Sequence, residues 1–168
     1  MRGKMRKFII QALCLFTGSF SFLSSSSTAA STIEQNTKKM LKEAEIGEVV
    51  PLLKIFDSSY DHVCIIPPYA NMISYSPNLN ELINSHLSDI DYKGSESEWA
   101  IAITKLNKVE IMRFKRDKYL DILSERDFIN FIDVNRNFNP SNCTSIKEGV
   151  FLKVSFRGRN YIVLGYSK

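Results

Sequence analysis

Polar and apolar positions change period several times along this chain, and each change marks an expected element. From Thr32 the period is helical. Ile33, Met40, Leu41 and Ala44 form a sparse apolar stripe, Thr32 and Gln35 have the spacing of a capping box, and Glu34–Lys38 and Lys39–Glu43 are i,i+4 pairs. Gly47 is a natural stop. The run Val49 to Phe56 is apolar apart from Lys54 and contains Pro51, so period does not separate helix from strand there. Asp61-His62-Val63-Cys64-Ile65-Ile66-Pro67-Pro68-Tyr69 then joins a short apolar run to two prolines. It reads as a buried strand whose pairing ends where two backbone donors are lost.

Pro77 to Ile90 is the clearest helix, with Ser76 as N-cap, Pro77 in the first turn, and Leu79, Leu82, Ile83, Leu87 and Ile90 on one face. Two hairpins follow. A turn at Asn107-Lys108 would pair Lys105 with Glu110, Ile103 with Met112 and Ile101 with Phe114. The other face, Ala100, Ala102 and Thr104 against Ile111, Arg113 and Lys115, is the more polar one and is expected to be wetter. A second turn at Gly158-Arg159 would pair Phe156 with Tyr161, Val154 with Val163 and Leu152 with Gly165. Both faces of that hairpin are apolar, which places it inside a sheet. Between the hairpins, Tyr119 to Leu123 and Phe128 to Val134 read as short strands or a helical turn, and Asn135 to Asn142 as a loop delivering Cys143. The class expected is α+β: an antiparallel sheet of about five strands with one or two helices packed on one face. A β-sandwich with peripheral helices is the alternative.

The first thirty residues change the meaning of the composition. Arg2, Lys4, Arg6 and Lys7 precede the apolar run Phe8 to Leu23, and Ser24 to Ala30 close it with small residues. This is the layout of a secretory signal peptide over 1–30, cleaved before Ser31, with the bond after Ala29 a second good fit. Gln11, Thr17, Gly18 and Ser19 interrupt the run too often for a membrane anchor, so no stable membrane insertion is expected after signal removal. The chain has 22 Lys and Arg against 18 Asp and Glu, but four of those cations and none of the acids lie before Ser31. Residues 31–168 are therefore neutral, which argues against a nucleic-acid binder. They are the size of one domain, exported to the periplasm or secreted.

Cys14 belongs to the signal, leaving Cys64 and Cys143 as an even pair in an oxidising compartment. A Cys64–Cys143 disulfide is expected, closing a loop whose chain-entropy contribution is about 4.5 kcal/mol. No C-x-x-C, metal-ligand spacing or phosphate-cradling glycine loop accompanies it, and no cofactor is expected. His62 and His86 are the only histidines. Ser85, His86 and Asp89 fit an ordinary helix surface, and Asp61 next to His62 lacks a nucleophile context. The remaining signal is a basic strand face. Arg113, Lys115 and Arg116, with Arg157 and Arg159 on the last hairpin, form a candidate interface for another protein, an acidic one. The function expected by elimination is a non-enzymatic protein-binding module of an inhibitor or immunity type. The alternatives are a small periplasmic hydrolase using Asp61 and His62, and a small-ligand carrier with a cavity between sheet and helix.

Overall fold

The structure is a computed structural model that describes residues 26–128 and 137–167. The basic and apolar parts of the expected export signal lie outside the described residues, as does the expected element Phe128 to Val134 beyond its first residue. Helix α1 (Ser26–Glu43) already runs before Thr32, so the capping-box residues sit inside it. Cleavage before Ser31 would bring that box to the helix terminus. Among the described residues no helix is long and apolar enough to cross a membrane.

The α+β class holds, and the strands are divided between two sheets. The first holds β1 (Val49–Pro51), β8 (Gly149–Phe156), β9 (Arg159–Ser167) and β5 (Asp121–Ile122) in that order, with β6 (Phe138–Pro140) also on β9. The second has the order β4 (Lys108–Lys115), β3 (Glu98–Lys105), β2 (His62–Ile66), β7 (Cys143–Ser145). All pairs are antiparallel except the short β5–β9 contact. The undecided run 49–56 is both things: strand β1, then a 3-10 turn at Leu52–Lys54.

The sheets face each other across one core. Phe151, Ile162 and Leu164 from the first meet Val63, Ile65, Trp99, Ile101, Ile103, Met112 and Phe114 from the second, and Leu41 of α1 joins them. Trp99 and Phe114 are register partners and their rings stack at 4.4 Å. The reverse face of β8 and β9 is covered too, because Leu152, Val154 and Val163 pack with Phe128 of α3 (Glu125–Phe128) and Phe138 of β6. The expected loop over 135–142 thus contains a strand. Gly165 makes this pairing close, since a Cβ there would collide with the Asn139 carbonyl. The end of α1 is fastened by the buried Lys153 of β8, whose Nζ donates to the Lys42 and Ala44 carbonyls at 2.6 and 2.8 Å. Burial pushes this ammonium below the usual lysine range, with nearby Glu48 acting the other way.

Helix α2 (Pro77–Asp89) covers the other face of the second sheet. Leu79, Ile83 and Leu87 pack on Cys64, Ile66, Ala100, Ala102 and Cys143. The face expected to be wetter is therefore buried along Ala100, Ala102 and Thr104. Ala100 and Ala102 are small enough to let the helix lie against the strand. Both hairpins also turn earlier than expected. Lys105 pairs with Lys108 around Leu106-Asn107, and Phe156 pairs with Arg159 around Arg157-Gly158. Each pairing slips by two residues, so every side chain keeps its expected face while its partner changes. Arg157 and Gly158, at φ 49° and 74°, have the positive values a type I′ turn requires.

Candidate functional site

Five cations were expected to share a surface, and the structure divides them. Arg116, just past β4, donates from Nε and Nη2 to the two oxygens of Asp121 at 2.8 and 3.0 Å, and from Nη1 to the Glu96 carbonyl at 3.1 Å. Arg159 reaches the same carboxylate at 3.3 Å, and the Ile122 amide donates to it at 2.9 Å. Asp121 is fully buried, so this fork is a structural tie between β5, the start of β9 and the end of β4. Arg113 and Lys115 are exposed on β4, Arg113 lying 4.8 Å from the centre of the Tyr92 ring. Arg157 is exposed at the hairpin tip, 5.0 Å from the Phe156 ring. Three of the five thus keep their charge outward.

Sequence reading missed the segment between β2 and α2. Its start follows from Pro67 and Pro68, after which the chain turns through Tyr69 at φ 64°. Tyr69, Met72 and Tyr75 are 66, 62 and 46 % exposed, three large side chains within seven residues. The backbone beneath them is fastened. Asn84 of α2 accepts from the Ile73 amide at 2.8 Å and donates to the Ile73 carbonyl at 3.0 Å. Asn80, one turn earlier, accepts from the Tyr75 amide at 2.7 Å, and the Tyr69 amide reaches the Ser95 carbonyl at 3.2 Å. Gly94 lies so close to Tyr69 and Ala70 that a Cβ there would collide with their backbone. The signal that could have revealed the segment is Asn80 and Asn84 at i,i+4, two side chains able to replace missing backbone partners. The Tyr75 hydroxyl meets that of Tyr166 at 3.0 Å, which ties the end of the segment to β9.

Asp61 and His62 border an open cleft of about 800 Å³ that also touches Tyr75, Leu79, Glu81 and Leu106. The Asp61 carboxylate accepts from the Leu106 amide at 2.6 Å and so supports the β3–β4 turn, and no ion pair joins it to His62. Among the described residues no group of three or more His, Cys, Asp and Glu side chains could hold a metal ion. The space directly between α2 and the sheet, where a ligand carrier would have its cavity, is filled by the α2 leucines and Ile83.

The expected bridge is present. Cys64 and Cys143 are register partners on β2 and β7, and both are buried under α2. It lies within the second sheet, so it holds β7 to β2 and does not reach the last hairpin. Comparison of the chain with protein families, with characterised proteins and with solved structures finds no match.

Proposed function

We propose that this chain is an exported, periplasmic module that acts by binding another protein, in an inhibitor or immunity-type role, and not by catalysis. The observation that carries the reading is the 67–76 segment. It presents two tyrosines and a methionine to solvent on a backbone already held by Asn80, Asn84 and Ser95. Aromatic side chains dominate the energetics of protein interfaces, and Met is enriched there. A segment ordered before binding loses less conformational entropy on docking. Exposed loops on a rigid scaffold are also where recognition concentrates.

Charge gives the partner its character. Glu96 and Arg116 act electrostatically on Tyr69, so the segment lies beside the end of β4, where Lys115 points outward. Lys115, Arg113 and Arg157 remain free to steer an acidic partner. Arg116 and Arg159 do not, because reversing either would break the Asp121 fork and test folding.

The test is capture of partners from an envelope extract, followed by affinity measurements on the enriched protein. Tyr69→Ala with Met72→Ala should weaken binding about tenfold or more, the size of a hot-spot loss. Arg113→Glu with Arg157→Glu should slow association in a salt-dependent way. Unchanged affinity in the Tyr69/Met72 variant, with its fold intact by circular dichroism, would reject this surface.

A further inference from the structure

The lining of the cleft beside His62 includes a buried hydroxyl without a partner. Strand register places Val109, Thr104, His62 and Ser145 in one row across β4, β3, β2 and β7. The next row along is Ile111, Ala102, Cys64 and Cys143, which α2 covers. Residues directly opposite one another share a face, so His62 and Thr104 project to the same side as Cys64 and Ala102. There His62 and Thr104 border the open cleft. Thr104, one of the residues that line the cleft, is 1 % exposed, and its Oγ1 has no hydrogen-bond partner among the described residues. A buried hydroxyl without a partner is costly, and in native structures such a group calls for an explanation.

The rest of the lining gives the ligand its chemistry. Asp61 and Glu81 contribute two carboxylates, and no Lys or Arg is among the lining residues. The Leu106 amide occupies one Asp61 oxygen, Oδ2, while Glu81 is exposed on α2. Leu79, Leu82 and Leu106 supply apolar wall. Two carboxylates, an apolar wall, and a hydroxyl and an imidazole in one lining suit a short alkyl chain ending in a cation. We propose that this cleft binds an organic ammonium group, with Glu81 and Asp61 balancing its charge and Thr104 Oγ1 accepting a hydrogen bond from one of its N–H groups. The source is either a free alkylamine or the side chain of a lysine on another protein. The cleft shares Tyr75 and Ser76 with the 67–76 segment but neither Tyr69 nor Met72, so the Tyr69/Met72 variant and the cleft variants test the two readings separately.

The test uses the purified protein, the ring signals of its two histidines in NMR, and calorimetry. His86 lines a neighbouring groove and serves as the internal control. Pentylamine and N-acetyl-lysine amide are the probes, with pentanol and pentanoate as neutral and anionic controls. The amines should shift the His62 signals saturably at about millimolar concentration, as befits ligands of so few atoms, and leave His86 unmoved. Tighter binding of the lysine derivative would indicate a protein side chain as the source, and tighter binding of pentylamine a free amine. Glu81→Gln, at an exposed position, should weaken amine binding about threefold. Thr104→Val should weaken it about fivefold while matching or exceeding the wild-type melting temperature. Equal responses to amine and pentanoate would overturn the proposal. So would a stabilised Thr104→Val variant with unchanged amine affinity, since the hydroxyl would then be only a packing misfit.

Discussion

Asp121 shows how much one residue can decide about its neighbours. Arg116 and Arg159 are far apart in sequence and, read as a pattern, belong to a charged surface. They converge because β5 pairs with β9 and sets Asp121 opposite Tyr161. No local spacing announces that convergence, and the segment holding Asp121 was ambiguous between strand and turn. The cations were legible, but the buried acid that claims two of them was not. Replacement by the isosteric amide isolates the charge. Asp121→Asn should destabilise the protein by about 3 kcal/mol, the lower end for breaking a buried pair, because the Arg116 and Arg159 side chains remain 28 and 44 % exposed and keep some hydration. Urea unfolding would measure it as a lower midpoint at unchanged m-value. A loss below about 0.5 kcal/mol would place the fork with ordinary surface pairs.

At the scale of elements, alternation was readable and register was not. Side-chain direction on β3, β4, β8 and β9 follows from period two, and a slip of two residues leaves that signal untouched. What fixes register is turn geometry, and both turns put a residue of poor left-handed propensity first: Leu106 at φ 55° and Arg157 at φ 49°. A Lys105–Glu110 salt bridge made the wrong register attractive. In the structure Lys105 instead donates to Ser59 Oγ at 2.7 Å and lies 5.6 Å from the Tyr60 ring, so facing Lys108 costs it little. The helix over Ala100 and Ala102 was legible as an element, but its place was not, because small residues on a strand fit a wet face as well as a close helix. The turn strain is measurable. Leu106 is 81 % exposed, so Leu106→Asn removes almost no packing and supplies a residue that tolerates positive φ. It should raise stability by about 1 kcal/mol in urea unfolding. A decrease would mean that the Leu106 side chain contributes more to the cleft wall than its backbone conformation costs.

For the whole molecule, the cysteine pair was the strongest long-range constraint available from sequence, and it named the contact without naming the sheet. The bridge spans 79 residues, which include α2, β3, β4 and β5. Both sheets therefore have strands inside the closed loop, although the sulfurs lie in only one of them. Constraining so long a loop in the unfolded chain should matter more than any native contact the bridge makes. Cys64→Ala with Cys143→Ala should lose about 4 kcal/mol, mostly through the unfolded state. Access to the bridge gives a sharper check. Cys64 and Cys143 are 0 and 1 % exposed beneath Leu79, Ile83 and Leu87, so a reductant reaches them only after α2 or more of the structure opens. The rate of thiol release in native buffer should then level off as reductant concentration rises, and should climb with added urea, because opening limits it. A rate that stays proportional to reductant and indifferent to urea would mean that the sulfurs are reached from the surface, and that α2 does not seal this face of the sheet.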